Sequence, residues 1–467
     1  MPKNIVIFSD GTGQRGGISF DERRSNIYKL FRATRCGPDS TIDPFLQLTY
    51  YDPGLGTIPE GTNMFWGFIR KIHNIISQAT GLGITTNVID CYAEIIQMYE
   101  PGDRIYLVGF SRGAYTVRCL ASVLRFCGVP TTTKDGSDLK YDGTSLRSIA
   151  RDAVDNVYQH VGSPNDTKYV LQREAIAARF REQHHSATGD GPNVYPYFIG
   201  VFDTVAAIAN PAFIAFIAFV SVLAAGAVSW LLNYFFGSVS TLVWFELIGI
   251  AAFVMLGGWY IGDHLKFATG LRDYTVWDTL HFTSARMRFY DYQLNTNVGY
   301  ARHAISIDEY RKDFARVPWG NSGVGQPLRN DGKTLWFKQL WFAGNHSDIG
   351  GSYPENESRL SDITLKWMID EAQSVPDGLQ VDGSVLKPYP SAKGMQHDET
   401  RGILFRYAGK IERAPVAGAP LHPSVKERFE EKAVLQYDEM KPYRPEGLRE
   451  HPEVVAFYET EGTTSVV

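Results

Sequence analysis

The chain has 467 residues, of which 44% are hydrophobic and 13% aromatic, enough to bury a large core and to form more than one structural unit. Its net charge of −5 lacks the basic excess that a nucleic-acid-binding face requires, so we expect no nucleic-acid partner. The four cysteines have no C-x-x-C spacing, which excludes a metal or redox motif of that type, and we expect reduced packing residues at Cys36, Cys91, Cys119 and Cys127.

The first predicted element is an apolar strand over residues 4–8, with no apolar targeting segment or cleavage site before it. The loop after this strand contains Gly11, Thr12 and Gly13, and its glycines allow the backbone to approach a ligand closely. The lysine and spacing of a phosphate-binding P-loop are absent from this loop. So is the third glycine of a dinucleotide-binding fingerprint.

Helix and strand patterns then alternate along the chain. We predict a helix over 26–35, a strand over 45–50, a helix over 86–99 and a strand over 104–108. This alternation is typical of an α/β fold with a mostly parallel sheet and helices on both faces. The variable loop 51–84 contains an aromatic and basic segment, 64–76, that fits an interfacial membrane helix and a helix packed on the domain equally well.

A candidate nucleophile lies in the G-x-S-x-G sequence Gly109-Phe110-Ser111-Arg112-Gly113. The preceding residues form a buried strand pattern, and an alanine-rich helical pattern comes after it over 114–126. A sharp strand-to-helix turn of this kind exposes a serine hydroxyl at the edge of the sheet, with Gly109 and Gly113 as the elbow glycines, and predicts that Ser111 is catalytic. The oxyanion hole would combine the backbone N–H of Arg112 with that of Gly11 or Thr12 in the first loop.

The acid and the base of a serine hydrolase come after the nucleophile in the order Asp or Glu, then His. Asp203 ends the strand pattern 197–202, and His346 lies on a glycine-flanked loop after a strand pattern that ends at Phe342. Asp348 competes for the role of the acid, but a residue two positions along the same loop cannot easily orient the imidazole. We therefore assign Asp348 to side-chain hydrogen bonds that fix the loop, with a bound cation as the alternative.

Four segments in this order resemble those of the type VI lipase effector group of α/β-hydrolases. They are Phe8-Ser9-Asp10-Gly11-Thr12, Gly109-Phe110-Ser111-Arg112-Gly113-Ala114, Phe202-Asp203-Thr204-Val205 and Asn345-His346-Ser347-Asp348-Ile349-Gly350-Gly351. The resemblance spans about residues 3 to 360, outside an apolar insertion that begins near residue 211. It implies a catalytic triad of Ser111, Asp203 and His346 and hydrolysis of lipid esters, with phospholipids as the leading substrates. We expect no cofactor. A cognate inhibitor protein is a candidate partner.

This apolar insertion interrupts the chain after the predicted acid. Residues 211–236 contain no charge, and 239–261 contain only Glu246, so each segment exceeds the ~20 apolar residues that cross a bilayer. The simplest interpretation is a transmembrane helical hairpin, with a pair of buried core helices or an apolar lid as the alternatives. The turn between the segments carries no Lys or Arg, whereas the flanking regions carry several. The positive-inside rule therefore predicts an integral membrane protein with its catalytic domain in the cytoplasm.

The predicted organisation has four parts: a catalytic domain over 1–210 with a cap or insertion at 131–190, the hairpin over 211–261, the second part of the catalytic domain over 262–374, and a C-terminal extension over 375–467. The leading hypothesis is a membrane-anchored phospholipase A-type serine hydrolase that works through an acyl-enzyme. One alternative is a membrane-perturbing, pore-like effector in which the hairpin forms homo-oligomers. Another is an esterase that acts on soluble substrates.

Overall fold

A computed structural model describes residues 2–11, 23–54, 82–162, 166–205, 211–237, 239–283, 293–319, 329, 332–401 and 409–462. The strands are β1 (Asn4–Ser9), β2 (Gln47–Asp52), β3 (Arg104–Phe110), β4 (Ala187–Thr188), β5 (Gly191–Pro192), β6 (Phe198–Phe202), β7 (Leu265–Lys266), β8 (His281–Phe282), β9 (Tyr300–Ser306), β10 (Phe337–Phe342), β11 (Val434–Gln436) and β12 (Glu439–Lys441). The α-helices are α1 (Asn26–Thr34), α2 (Leu82–Met98), α3 (Arg112–Cys127), α4 (Gly143–Arg151), α5 (Val170–Gln183), α6 (Pro211–Phe236), α7 (Thr241–His264), α8 (Val276–Thr279), α9 (His346–Gly350), α10 (Arg359–Ser374), α11 (Pro423–Glu430) and α12 (Ala456–Gly462).

Six strands form one parallel sheet in the order β10-β9-β6-β3-β1-β2, so the predicted α/β class with a parallel sheet is confirmed. The strand order reverses between β1 and β3. At such a switch point the loops after the two strands leave the sheet in opposite directions and open a crevice outside the carboxyl ends of the strands. The loop with Gly11 comes after β1 and the turn with Ser111 comes after β3, so both border this crevice.

The strands are apolar on both faces because helices cover both faces. Alternate residues of β1 point to opposite sides, so Ile5 and Ile7 join one core while Val6 and Phe8 join the other. The first core contains α2, α3, α4 and α5, and the second contains α1 and α10. Near-continuous apolar strands are the expected pattern for a buried parallel sheet.

The C-terminal region covers the β10 edge of the sheet. Leu421 forms a β-bridge with Trp341 in β10. The N–H of Trp341 donates to Pro420 O at 3.1 Å, and the carbonyl of Trp341 accepts from His422 N at 2.9 Å. A third apolar core joins Ile305 and Trp341 of the sheet to C-terminal residues that include Val425 and Phe429. An uncovered edge strand would expose unpaired backbone groups, so this region protects the sheet from edge-to-edge association.

The two apolar helices, α6 and α7, pack on each other and are joined through residues 237–240. Their length and composition would allow both to cross a membrane. In the most apolar part of α7, no residue is buried inside the protein. In the most apolar part of Ala218–Phe236, within α6, 6% is buried. They are therefore not buried core helices, because core helices of a soluble domain would be mostly covered by protein.

Element boundaries differ from the sequence predictions in several places. Strand β2 begins and ends two residues later than expected, and α3 begins at Arg112, directly after the turn serine, rather than at Ala114. Within the predicted cap or insertion at 131–190, α4 continues directly as a π-helical turn, Asp152–Val157. The segment 64–76 lies outside the described residues. So do residues 402–407, whose sequence shows some strand pattern.

Candidate active site

Ser111 occupies a strained turn between β3 and α3. Its φ of 59° and ψ of −120° lie outside the regions that non-glycine residues favour, and its N–H donates to Phe202 O at 3.1 Å. A Cβ on Gly109 would stand 2.5 Å from Gly113 O, and one on Gly113 would overlap the carbonyl of Ser9. Glycine is therefore required at both positions, since β1, β3 and α3 meet there without room for a side chain.

Asp203 and His346 are joined by a hydrogen bond of 2.6 Å between Asp203 Oδ2 and His346 Nδ1. Asp203 comes directly after β6 and His346 begins α9 after β10, so the predicted acid and base come together at the carboxyl ends of two strands. Both side chains are buried. The carboxylate fixes the imidazole with its proton on Nδ1 and leaves Nε2 as the atom that can accept a proton.

Arg413 completes this pair and was not found by sequence reasoning. Its Nη1 donates to Asp203 Oδ1 at 2.6 Å, and its Nη2 donates to Phe314 O at 2.7 Å. Burial alone would raise the pKa of Asp203, but the Arg413 guanidinium and the hydrogen bond from His346 lower it below its ordinary range. Asp203 is therefore ionised at neutral pH. Arg413 lies 210 residues after Asp203 and in no motif, so only the folded chain reveals the contact.

The imidazole of His346 is held in an aromatic pocket. The ring of Phe110, next to Ser111, stacks on it with a centroid distance of 4.7 Å, and Phe314 contacts it edge-on at 5.1 Å. Burial lowers the pKa of His346, although Asp203 acts in the opposite direction, so the ring is neutral at neutral pH. Its buried Nε2 has no hydrogen-bond partner among the described residues. His346 Nε2, the atom that can accept a proton, is therefore not used by another described residue. Its imidazole stacks on Phe110, the residue before Ser111.

Glu309 and Arg311 support the backbone of the same loop. Glu309 Oε2 accepts the N–H of His346 at 3.2 Å, and its carboxylate pairs with the Arg311 guanidinium at 2.7 Å. Burial would raise the pKa of Glu309, but Arg311 lowers it below its ordinary value. This second buried carboxylate is therefore ionised and fixes the position from which the imidazole projects.

The predicted oxyanion donors lie in two places. Arg112 is the first residue of α3, where backbone N–H groups point toward the helix N-terminus and favour negative charge. Gly11 lies beside Ser111, since a Cβ built on it would stand 3.4 Å from Ser111 Cβ. However, the N–H of Gly11 donates to Asp10 Oδ1 at 2.7 Å and would have to leave that carboxylate to bind an oxyanion. Thr12 lies outside the described residues.

Two acidic side chains at the ends of β1 and β2 were also missed. Asp10 Oδ2 accepts from Ser25 Oγ at 2.5 Å and from Tyr51 OH at 2.7 Å. Asp52 Oδ2 accepts from Ser9 Oγ at 2.7 Å and from Asn87 Nδ2 at 2.8 Å. Burial raises the pKa of Asp52 to about 7, despite these donors. A carboxyl with a perturbed pKa beside the switch-point crevice is typical of a functional site.

Asp348 fixes the loop that carries His346. Its Oδ2 accepts the N–H groups of Asn345 and His397, both at 3.0 Å, and its Oδ1 contacts His397 Nδ1 at 2.8 Å. The His397 ring stacks on Tyr353 with a centroid distance of 3.6 Å. Burial opposes protonation of His397, but Asp348 raises its pKa above the ordinary value. Both oxygens of Asp348 are thus engaged by protein groups, as its assigned role in the loop requires.

The sequence profile of the family described as "T6SS, Phospholipase effector Tle1-like, catalytic domain" matches residues 3–239 and 258–371 of the chain. Among curated proteins, "Uncharacterized protein YEL023C" of Saccharomyces cerevisiae is 30% identical over 132 residues. That alignment covers 27% of this chain and 18% of the yeast protein, so the chain matches only a small part of that relative.

Two solved structures are similar at low identity. One is a crystal structure of an uncharacterized protein from Pseudomonas aeruginosa, with a TM-score of 0.36 and 16% identity over 84% of this chain and 49% of the other. The second is titled "Structure of the Tle1 effector bound to the VgrG spike from the Type 6 secretion system", with a TM-score of 0.30 and 16% identity over 76% of this chain and 52% of the other. The matched regions are thus about half the length of these structures.

Proposed function

Because the chain belongs to the Tle1-like phospholipase effector family of type VI secretion through its catalytic domain, we propose that it is a serine hydrolase that cleaves acyl esters of phospholipids, with phospholipase A-type activity. The observation that carries the proposal is the Asp203–His346 hydrogen bond of 2.6 Å, which leaves His346 Nε2 without a partner among the described residues, beside the strained Ser111 turn. Membership of the family makes a lipid ester the expected substrate.

In the proposed mechanism, His346 Nε2 takes the proton of Ser111 Oγ as that oxygen attacks the ester carbonyl. Asp203 stabilises the imidazolium that forms, and Arg413 keeps Asp203 ionised. The N–H of Arg112 and one from the first loop stabilise the tetrahedral oxyanion. His346 then protonates the leaving lysophospholipid oxygen, and water hydrolyses the acyl-enzyme by the same route to release a fatty acid.

The experiment uses a fluorophosphonate probe on the purified full chain, and the labelled peptide is then identified. We expect labelling of Ser111 that disappears in Ser111→Ala and persists in Ser148→Ala, which replaces an exposed serine on α4. Wild type, but not Ser111→Ala, should release free fatty acid and lysophospholipid from phosphatidylcholine vesicles. A folded wild-type protein that neither labels nor hydrolyses any ester would disprove serine catalysis.

We further propose that α6 and α7 insert into the membrane as a hairpin and hold the catalytic domain at its cytoplasmic surface. The proposal is supported by the exposure of both apolar helices, since leaving so much apolar surface in water is unfavourable. Fusion of a topology reporter at Ser240 tests the orientation. A reporter that is active on the cytoplasmic side would contradict it, while release of the protein from membranes by alkaline carbonate would contradict insertion.

The exposed helices also favour a second candidate function, a membrane-perturbing effector whose hairpins associate. Ser111→Ala separates the two functions. Toxicity or dye leakage from vesicles that survives this substitution would support the pore-like role, whereas its loss together with lipid hydrolysis would support the phospholipase.

A further inference from the structure

Five exposed apolar side chains lie outside the hairpin and close to its base. They are Leu171, Phe267, Val276, Trp277 and Phe282, here called the apolar platform. Single exposed apolar residues are common on soluble proteins, but a cluster that includes a tryptophan and two phenylalanines marks an interaction surface. Trp277 is 82% exposed, although Thr279, two positions further along the chain, is fully buried.

Hydrogen bonds hold the segments of the platform together. Strand β7 pairs with β8, with Leu265 opposite Phe282, and Thr279 Oγ1 of α8 accepts from Ala268 N at 2.9 Å. Gln172 Nε2, next to Leu171, donates to Asp278 O of α8 at 3.0 Å. These bonds fix the segments that carry the five side chains relative to one another.

This surface is continuous with the apolar hairpin. Helix α7 ends at His264 and β7 begins at the next residue, while Thr283 N donates to His264 O at 2.8 Å. Only Gly262, Asp263 and His264 at the end of α7 separate its last apolar residue, Ile261, from the first strand of the platform.

The platform also lies toward the carboxyl ends of the sheet strands, where the candidate active site lies. His281 Nε2 contacts His160 O at 2.8 Å, and the neighbouring Gln159 donates to Thr85 Oγ1 at 2.9 Å. Thr85 lies in the first turn of α2, where Asn87 donates to Asp52 at the carboxyl end of β2. This chain of contacts joins the platform to the edge of the sheet at which Ser111, Asp203 and His346 lie.

We propose that the platform rests in the boundary between headgroups and acyl chains of a phospholipid bilayer, and that the carboxyl edge of the sheet thereby faces the membrane. The inference rests on the proposed insertion of the hairpin and adds a second, peripheral contact. Tryptophan and phenylalanine favour this boundary. The exposed charges nearby are of both signs, Lys168 and Arg272 against Asp263, Asp273 and Asp278, so the platform needs no anionic lipid.

Spin labels on the full chain in phosphatidylcholine nanodiscs test the proposal. In a Cys36→Ser background, a nitroxide is attached to one of three introduced cysteines. Trp277→Cys reports the platform, and Ile250→Cys reports the exposed middle of α7. Phe45→Cys is the control, because Phe45 is an apolar residue that is 81% exposed and lies before the amino end of β2. Collision with oxygen reports lipid, and collision with a nickel chelate reports water. We expect the oxygen-to-nickel ratio at 277 to exceed that at 45 several-fold and to lie between those at 45 and 250.

The outcomes separate this inference from the proposal it rests on. A ratio at 277 equal to that at 45, with 250 in lipid, would overturn the platform and leave the hairpin inserted. If 250 also reports water, membrane insertion itself fails. Protection of 277 from both reagents would indicate contact with protein and would also overturn the inference.

A functional readout complements the labels. Trp277→Ala with Phe282→Ala should lower hydrolysis of bilayer phospholipid several-fold and leave hydrolysis of a soluble short-chain ester unchanged, whereas Phe45→Ala should change neither. Equal loss on both substrates would indicate damage to the fold and would count against a membrane role for the platform.

Discussion

Asp203 receives two side-chain partners that come from distant parts of the chain, His346 on Oδ2 and Arg413 on Oδ1. A buried carboxylate is stable only when its charge is compensated, so removal of Arg413 leaves a costly unpaired charge. The same loss would let the pKa of Asp203 rise, because burial then acts with less opposition. At the scale of single residues, we therefore expect Arg413 to matter for activity alongside the proposed triad residues.

We expect Arg413→Ala to lower the free energy of unfolding by about 3 to 5 kcal/mol, as for other broken buried ion pairs. It should also move the acidic limb of the activity profile to higher pH. Urea unfolding and the pH dependence of kcat/KM measure these effects. Arg449→Ala removes an arginine from an exposed pair with Glu446 and should change neither. An unshifted acidic limb in Arg413→Ala would show that Arg413 does not tune the carboxylate.

The pKa of Asp52 predicts a second pH effect. Its pKa is about 7 in the folded protein and is close to the ordinary value of 3.8 when unfolded. Between these values the folded state holds a proton that the unfolded state has released, so the free energy of unfolding falls as the pH rises. Asp52→Asn cannot ionise, so it should lose this slope and should be more stable than wild type above pH 7.

Urea unfolding at several pH values between about 4 and 8 checks this expectation, because one pKa unit corresponds to about 1.4 kcal/mol. Asp370→Asn, an exposed carboxylate on α10, serves as the control and should keep the wild-type slope. Parallel curves for wild type and Asp52→Asn would refute the assignment.

At the scale of elements, the Ser111 turn depends on close contact between β1, β3 and α3. The G-x-S-x-G spacing is explained by packing, because the two glycines lie where three backbones meet. The strained φ of Ser111 is held by the elements on either side rather than by the local sequence. A side chain at either glycine must therefore separate the strands from the helix.

Gly113→Ala is expected to cost more than about 3 kcal/mol, or to prevent folding, since its Cβ would overlap the carbonyl of Ser9. Gly143→Ala, at the start of α4, places its Cβ in open space and should leave stability nearly unchanged. Thermal unfolding of the two variants compares them directly. Equal stability would mean that β1 and α3 can move apart without penalty.

At the scale of the whole molecule, residues 375–467 are connected to the sheet in two ways. They cover the β10 edge through Leu421 and its neighbours, and they supply Arg413 to Asp203. Residues on the two sides of the predicted boundary at 374 are therefore in direct contact, and we expect Asp203 to depend on the contact from the C-terminal extension.

Truncation after Ser374 should therefore yield a protein that associates through the exposed β10 edge and lacks ester hydrolysis. Truncation after Gly462, the end of α12, is the control and should remain active. Size-exclusion chromatography and the soluble-ester assay measure the two effects. A monomeric, active chain ending at 374 would show that the region is dispensable.

The sequence by itself determined the alternation of strands and helices, the sharp turn at Ser111 and the positions of Asp203 and His346 after strands, because periodicity and glycine spacing are local properties. It also identified the two apolar helices, whose composition alone distinguishes them. The triad and the membrane role inferred from these patterns remain proposals.

Only the tertiary structure decided which partners meet. It joined Arg413 to Asp203, Glu309 to the backbone of His346, and His397 to Asp348, pairs that carry no spacing signal. It also showed that the Gly11 N–H is held by Asp10. The physical reason is that burial and the distance between charges, which set pKa values and leave donors used or unused, arise only when remote segments pack together.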